Sequence, residues 1–258
     1  MTSAAAHWRN SLEEWAIPEA ILEATPESPW GFPEGHHAAP ETPADSPSRR
    51  FALAALPPNG TVLDVGCGGG AASLALVPHV GSIIGVDERA GALAELGAAC
   101  AERGVACTEV IGSWPKVAGS VAAADVVVCH HVAYNVADLA GFVQALTAHA
   151  RRRVVLEFGA THPLTPLAPL WRHFWNLERP SGPSAADALA VVHELGIGPE
   201  VAIHDRPRTG WATPAQEVAF VRKRLCLPSS RDAEVAEQLE KCSVPCNEAW
   251  TLAWPGQA

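Results

Sequence analysis

The sequence predicts an α/β protein built on a mostly parallel sheet with helices on both faces. Between residues 61 and 158, apolar strand-like runs alternate with helical patterns, which is typical of a parallel sheet covered on both sides. The chain has 258 residues and 48% hydrophobic content, enough for a full core in one large domain. A cluster of glycines directly after the first strand then indicates where a ligand binds.

The elements follow one another with clear start and stop signals. An amphipathic pattern within residues 1–22 predicts a helix, and the Pro- and Gly-rich stretch 24–47 predicts a loop. Apolar runs bounded by turn residues predict strands at 61–66, 82–87, 106–111, 124–129, 152–158, 200–206 and 247–254. Helical periodicity predicts helices at 46–56, 70–78, 89–103, 137–150, 184–195, 213–225 and 231–241.

The most informative local pattern spans residues 62–70. A short apolar run contains Asp64 and breaks into Gly66-Cys67-Gly68-Gly69-Gly70. Glycines here let the backbone turn tightly and approach a ligand closely, and the N–H groups of the following helix point at that ligand. A second apolar run ends in Asp87-Glu88, where the Asp87 carboxylate can accept hydrogen bonds from both hydroxyls of a ribose.

Asp64 decides between two classes of ligand. The loop matches G-x-G-x-x-A literally, so the glycines alone leave a nicotinamide dinucleotide open. A carboxylate two residues before the first glycine repels a pyrophosphate, whereas it attracts the sulfonium and ammonium groups of S-adenosylmethionine. The sequence therefore favours S-adenosylmethionine.

The order Asp-x-Gly-x-Gly-x-Gly followed by the acid at Asp87 resembles the first two motifs of class I S-adenosylmethionine-dependent methyltransferases. The resemblance covers about residues 47 to 255, although its specific motifs occupy only 62 to 87. It implies a Rossmann-like, doubly wound, mostly parallel seven-stranded sheet with a reversed last strand and helical insertions over the active-site face. It also implies that S-adenosylmethionine is the cofactor and S-adenosylhomocysteine its product, with no metal expected.

By this resemblance, one set of residues is expected to bind the cofactor: Asp64, Gly66, Cys67, Gly68, Gly70, Asp87, Glu88, Ser113, Trp114 and His130. The sequence departs from the family after the third strand, where an Asp often contacts the adenine amino group. Here Ser113 can accept that hydrogen bond without a charge, and Trp114 can pack on the adenine face.

The residues after the fourth strand are expected to line the methyl-transfer centre, again by the resemblance. Adjacent residues leaving a strand point to opposite sides, so only one of His130 and His131 is expected to face the acceptor. We assign His131 as catalytic base or acceptor-orienting group, with His130 beside the methionyl end of the cofactor. The alternative is that both histidines only hold the loop, and His162 and His173 are weaker candidates. Tyr134 either lines the acceptor pocket or caps the core.

Two long connections are expected to roof the acceptor pocket. We divide the chain into an N-terminal helix and lid-like segment, 1–46, and a methyltransferase core, 47–258, with insertions near 159–180 and 207–246. Both insertions follow carboxyl ends of strands, where ligands bind in open α/β sheets. Trp171 and Trp175 are therefore candidate acceptor contacts, the alternative being that such aromatics pack the insertions onto the core.

Composition excludes several classes of partner. A net charge of -10 disfavours nucleic-acid binding, and no run approaches the ~20 apolar residues of a membrane span. The N-terminus lacks a basic region with an apolar signal core, so a cytoplasmic location is expected. The seven cysteines are irregularly spaced, which favours reduced thiols, and Cys242-x-x-x-Cys246 has no second pair to complete a metal site. Arginine outnumbers lysine fifteen to three, which suggests a bacterial source.

These observations predict transfer of a methyl group from S-adenosylmethionine to O or N of a small-molecule or short peptide-like acceptor. No nucleic acid or membrane partner is expected, and the oligomeric state is left open. Two alternatives remain: a non-catalytic S-adenosylmethionine-binding or scaffold protein, and an NAD(P)-dependent oxidoreductase, which Asp64 disfavours.

Overall fold

A computed structural model describes residues 2–31, 43–206, 211, 213–242 and 247–258. Within these residues seven strands form one sheet in the order β3-β2-β1-β4-β5-β7-β6. The strands are β1 (Gly60–Val65), β2 (Val80–Asp87), β3 (Ala106–Ile111), β4 (Ala124–His130), β5 (Ala150–Gly159), β6 (Glu200–Asp205) and β7 (Glu248–Pro255).

The sheet has the predicted direction pattern. Strands β1 to β5 pair in parallel, and β7 runs antiparallel to both β5 and β6. The prediction of a doubly wound, mostly parallel sheet with a reversed last strand is thus confirmed. Strand order reverses beside β1, so the carboxyl ends of β1 and β4 flank the crevice where such sheets bind ligands.

Ten α-helices surround the sheet within the described residues. They are α1 (Ala4–Glu13), α2 (Glu19–Ala24), α3 (Pro47–Ala55), α4 (Ala71–Leu74), α5 (Ala90–Glu102), α6 (Leu139–His149), α7 (Ala168–Trp175), α8 (Ala185–Glu194), α9 (Pro214–Arg224) and α10 (Asp232–Lys241). Side chains cap several helix starts, as at Ser46, whose Oγ accepts from the backbone N–H of Arg49.

The helix after the glycine loop is shorter than the predicted 70–78. It ends at Leu74, and the next N–H groups bond to carbonyls only three residues back, as from Val77 to Leu74 at 3.2 Å. Pro78 disfavours the helical conformation of Val77, which gives a physical reason for the early end.

Buried side chains form a layer on each face of the sheet. One face packs against α3, α4 and α5, through side chains such as Ala52, Leu74 and Leu96. The opposite face packs against α1, α6 and α8, through Trp8, Phe142 and Val191 among others. A third cluster joins α7, α9 and α10 beyond the sheet. No described helix has both the length and the apolar character needed to cross a bilayer.

The N-terminal helix is built into the main core. Trp8 is 0% exposed, its Nε1 donates to the carbonyl of Val136 at 2.8 Å, and its ring stacks on Tyr134. The predicted boundary at residue 46 stays a prediction, but α1 itself closes the face formed by α6 and α8 and is not a detached cover.

Trp8→Ala should lower the free energy of unfolding by about 3–5 kcal/mol, because it opens a cavity in the main core and removes a buried hydrogen bond. Urea unfolding followed by circular dichroism measures this loss. Trp30→Ala is the matched control, since Trp30 is 51% exposed and should cost much less. Equal losses in the two variants would show that α1 contributes nothing to the core.

Candidate active site

The glycine loop joins the carboxyl end of β1 to α4 in a conformation that only glycine adopts easily. Gly66, Gly68 and Gly70 have φ values of 70°, 52° and 84°. A Cβ on residue 66 would also lie 2.3 Å from Cγ2 of Val132, two residues beyond β4. The loop after β1 and the loop after β4 are therefore in direct contact.

Asp87 holds the glycine loop from the end of β2. Its Oδ2 accepts from the backbone N–H of Gly68 at 2.9 Å, and its Oδ1 accepts from the N–H of Arg89 at 3.0 Å. Nε of Arg89 also donates to Oδ1, at 3.4 Å. A carboxylate offers about four acceptor positions, so one lone pair remains, and the half-exposed Arg89 side chain can turn away to leave a second for a ribose hydroxyl. The neighbouring Glu88 is exposed.

Asp64 lies beneath the loop and not on its surface. It is 1% exposed, and its Oδ2 accepts from the hydroxyl of Ser73 at 2.6 Å and the backbone N–H of Ser73 at 3.3 Å. Burial raises the pKa of Asp64, while the Ser73 hydroxyl opposes that rise. Its carboxylate thus anchors α4, and its direct contact with a cofactor stays a prediction. Cys67 is also buried, which raises the pKa of its thiol.

Two polar atoms, one just after β3 and one at the end of β4, are buried without a hydrogen-bond partner among the described residues. They are Nε1 of Trp114 and Nε2 of His130. Leaving such an atom unsatisfied costs about 1–3 kcal/mol, which a bound ligand can recover. The Trp114 ring, 7% exposed, packs edge-on against His149 at 4.8 Å, and Ser113 before it is half-buried.

The backbone at His131 corrects the expectation that adjacent side chains diverge. His131 has a φ of 60°, a left-handed conformation that is uncommon for a residue with a side chain. This turn brings its Nε2 to 3.3 Å from Oε1 of Glu157, and its backbone N–H donates to the Glu157 carbonyl at 2.7 Å. His130 pairs with Glu157 in the β4–β5 register. Both imidazoles are therefore neighbours of one carboxylate.

Glu157, which the sequence analysis missed, is the centre of a polar cluster at the end of β5. It is 5% exposed, and its Oε2 accepts from the hydroxyls of Ser48 at 2.5 Å and Thr251 at 3.5 Å. His204 and Arg206 approach it at 3.9 Å and 3.8 Å. Burial alone raises the pKa of Glu157, but the hydrogen bonds and the positive field of the histidines hold it far below its ordinary value. The signal for it was an acid within an otherwise apolar buried strand.

Tyr134 lies in the core behind the loop after β4. It is 6% exposed, its hydroxyl donates to the Gly159 carbonyl at 2.9 Å, and its ring contacts Trp8 and Phe158. This geometry matches the core interpretation of Tyr134, and its contact with an acceptor stays a prediction.

The aromatic residues of α7 hold that helix against its neighbours. Trp171 is 2% exposed beneath the Arg179 guanidinium, and Trp175 Nε1 donates to the Leu225 carbonyl at 2.7 Å. His173 Nε2 lies 3.0 Å from Glu234, which ties α7 to α10 at the surface. Contact of Trp171 and Trp175 with an acceptor stays a prediction.

Part of the second insertion lies outside the described residues, namely 207–210, 212 and 243–246. Cys246 of the cysteine pair is among them, while Cys242 carries a free thiol. In the described ranges, no three His, Cys, Asp or Glu side chains are grouped so as to hold a metal ion.

His162 joins the N-terminal segment to the connection after β5. Its ring stacks on Trp15 at 3.9 Å, and its Nδ1 accepts from the backbone N–H of Leu164 at 3.2 Å. Burial, with a smaller contribution from Arg179, lowers the pKa of His162 to about 4. Arg179 also donates to the carbonyls of Trp15 and Ala16.

Comparison with known proteins agrees with this architecture. Residues 62–153 match a family described as "Methyltransferase domain". Among solved structures, the YcgJ protein from Bacillus subtilis is 18% identical with a TM-score of 0.55, covering 82% of this chain and 98% of its own. A cyclopropane-fatty-acyl-phospholipid synthase-like protein from Lactobacillus casei is 16% identical with a TM-score of 0.52, covering 96% and 99%.

Magnesium protoporphyrin IX methyltransferase from Synechocystis, solved with bound S-adenosylhomocysteine, is 17% identical with a TM-score of 0.50. That match covers 78% of this chain and 75% of the other. No curated protein sequence matches this chain significantly.

The sheet order and the glycine loop define the class I fold of S-adenosylmethionine-dependent enzymes. Residues 62–153 are therefore a methyltransferase domain of the S-adenosylmethionine-dependent kind, and S-adenosylmethionine is the cofactor.

The buried His162 predicts a loss of stability in acid. Because its pKa in the folded protein lies below the ordinary 6.5, the unfolded chain binds more protons between pH 6.5 and 4. The free energy of unfolding should therefore fall by about 3 kcal/mol across this window on account of this group. His162→Phe keeps a stacking ring but cannot titrate. Between pH 7 and pH 4, the free energy of unfolding of the wild type should fall by that amount relative to His162→Phe. A difference that does not change with pH would contradict the lowered pKa of His162.

Proposed function

We propose that this methyltransferase acts on an oxygen or nitrogen atom of a small-molecule or short peptide-like acceptor, with His131 as the residue that orients or deprotonates it. The observation that carries the proposal is the position of His131. It stands in a left-handed turn directly before Val132, whose side chain lies against Gly66 of the glycine loop. An imidazole at this junction can reach an acceptor placed beside the cofactor.

Several described groups fit S-adenosylmethionine. We assign the free lone pairs of Asp87 to the ribose hydroxyls, and the loop at Gly66, Gly68 and Gly70 to close approach of the backbone. The unsatisfied Nε2 of His130 and Nε1 of Trp114 provide buried polar atoms for the same ligand. The remaining predicted cofactor contacts are kept as part of this proposal: Asp64, Cys67, Glu88 and Ser113. When bound, S-adenosylmethionine supplies a methyl group already activated by the sulfonium charge.

His131 is suited to accept a proton. Burial lowers its pKa below the ordinary value, and although the hydrogen bond to Glu157 opposes that shift, the net direction is downward. The imidazole is therefore neutral at pH 7 and carries a free lone pair. Its side chain is 35% exposed, so an acceptor can approach the ring.

The net charge of the chain supports the proposal of a small acceptor. A net charge of -10 repels a phosphate backbone, which favours a small acceptor over nucleic acid.

Two measurements test the proposal. Calorimetric titration with S-adenosylmethionine, S-adenosylhomocysteine and NAD compares the candidate cofactors directly. A panel of hydroxylated, amino and peptide compounds is then incubated with enzyme and methyl-labelled S-adenosylmethionine. Binding of S-adenosylmethionine together with methyl transfer to a member of the panel is expected. Tight binding with no transfer to any compound would favour the non-catalytic alternative, and preference for NAD would overturn the cofactor assignment.

Asp87→Ala should weaken binding of S-adenosylhomocysteine strongly, because two charge-assisted hydrogen bonds of about 1.5–3 kcal/mol each are lost. Calorimetry measures the change, and thermal unfolding confirms that the variant is folded. Glu102→Ala is the control, since its side chain is 78% exposed on α5 and should leave affinity unchanged. Wild-type affinity in Asp87→Ala would remove this residue from the ribose site.

His131→Ala should lower kcat by roughly 10²–10⁴ with little change in cofactor affinity, because it removes a general base. The loss should shrink at high pH, where the acceptor ionises without help. His173→Ala controls for loss of a histidine, as His173 lies at the surface between α7 and α10. If His131→Ala turns over at the wild-type rate at every pH, His131 is structural.

A further inference from the structure

The structure assigns to Glu157 the role of positioning residue: its carboxylate holds His131 with Nε2 as the protonated nitrogen, so that Nδ1 faces the acceptor as the proton-accepting atom. This inference rests on the proposed base role of His131. The two residues make a carboxylate–imidazole pair across the ends of β4 and β5, and the acceptor supplies the third member when it binds.

The geometry selects which imidazole nitrogen carries the proton. Nε2 of His131 lies 3.3 Å from Oε1 of Glu157, within reach of a charge-assisted hydrogen bond in which the imidazole must donate. A neutral imidazole has one N–H, so Nδ1 then carries the lone pair. The Glu157 carbonyl also accepts from the His131 backbone N–H at 2.7 Å. Glu157 therefore orients both the imidazole ring and the backbone of His131.

The backbone conformation at His131 indicates that surrounding contacts hold its imidazole ring toward Glu157. A left-handed conformation at a residue with a side chain costs of the order of 1–3 kcal/mol and persists only where surrounding contacts determine it. Here the turn directs the ring back toward the face of the sheet that carries Glu157, instead of toward the opposite face. Without the turn, the alternation of side chains along β4 would separate the two groups.

Glu157 is itself fixed from several elements, so it has no capacity to bind an acceptor directly. Ser48 on α3 and Thr251 on β7 donate to Oε2, while His204 and Arg206 approach from β6 and the residue after it. The side chain is 5% exposed. A carboxylate satisfied in this way acts on the reaction only through the imidazole that it holds.

The charges around His131 act in opposite directions. Glu157 favours the protonated imidazolium, whereas burial, Arg206 and His204 oppose it, and His130 stands beside it on β4. The result is an imidazole that is neutral at rest and yet has a carboxylate in place to stabilise the cation formed on proton uptake. The proton passes from the acceptor O–H or N–H to Nδ1, and the imidazolium later releases it to water.

Nitrogen-15 and carbon-13 NMR of histidine-labelled protein tests this without cofactor or acceptor. In the wild type above the pKa of His131, Nε2 should show the shift of a protonated ring nitrogen and Nδ1 that of an unprotonated one. Glu157→Gln should weaken this preference and lower the pKa of His131, because the stabilising charge is gone. Glu200→Gln is the matched control, since that glutamate is 60% exposed and pairs with Arg153. The ring resonances that disappear from the spectrum of His131→Ala are those of His131.

A wild-type His131 protonated on Nδ1 overturns the inference, even if Glu157→Gln fails to fold. An unchanged tautomer and pKa in a folded Glu157→Gln protein also overturns it. Once an acceptor is found, Glu157→Gln should lower kcat more than it changes KM, by less than His131→Ala does. Its kcat–pH profile should move to lower pH. If the NMR shifts are as expected but no acceptor is methylated, the proposed methyl transfer is contradicted. The inference that Glu157 positions His131 would still stand.

Discussion

A buried carboxylate, that of Glu157, constrains how the ends of β4, β5, β6 and β7 are assembled. Glu157 loses the solvation of its charge on folding, and an unpaired charge in that place would cost several kcal/mol. Its hydroxyl and imidazole partners come from α3, β4, β6 and β7, so each of these elements must be in register for the charge to be tolerated. Because the pKa of Glu157 is depressed, this stabilisation is present above its ordinary pKa and is lost as the pH falls toward the folded value.

The two halves of the site differ in how far their polar groups are satisfied. Around Glu157 each carboxylate oxygen has a partner within the chain. After β3 and at the end of β4, Nε1 of Trp114 and Nε2 of His130 have none among the described residues. The Glu157 carboxylate is thus satisfied without a ligand, although Nδ1 of His204 beside it is buried and unpaired. Buried polar atoms without partners are the places where a ligand can add hydrogen bonds.

Much of the fold followed from patterns that act over short distances. The glycine loop and the apolar strands were predicted because glycine conformation and strand alternation are local properties of the chain. The reversed last strand was predicted only through the resemblance to the methyltransferase family. The early end of α4 depends on Pro78, also a local signal, which a helical pattern through 78 overlooked. The amphipathic pattern of the N-terminal helix was predicted, but the docking of Trp8 was not, since its partners Val136 and Tyr134 lie more than a hundred residues away.

The candidate site was less predictable than the fold, because it depends on contacts between residues far apart in the chain. Two adjacent histidines after β4 attracted attention, but their directions depend on one backbone angle at His131, which no residue type at that position signals. The role of Glu157 could not be predicted from the sequence, because its partners come from α3, β7 and the loop after β4, which are far apart in the chain. An acid in an otherwise apolar strand is nevertheless a readable exception: burial of a charge requires partners, so such a residue predicts a polar cluster before its members are known.

The arrangement at His131 also bears on which acceptors need a base. An acceptor that is already nucleophilic at neutral pH requires only orientation, and a carboxylate behind the imidazole would then add nothing to the rate. An alcohol or a protonated amine must lose a proton, and the imidazolium so formed is stabilised by Glu157. Burial, with a smaller contribution from Arg206, lowers the pKa of His131 and keeps the resting imidazole neutral. Maintaining a strained backbone and a buried charge for this purpose is reasonable only if proton removal matters. If His131 acts as the proposed base, the expected acceptor is one whose reacting atom carries a proton that is not easily lost in water.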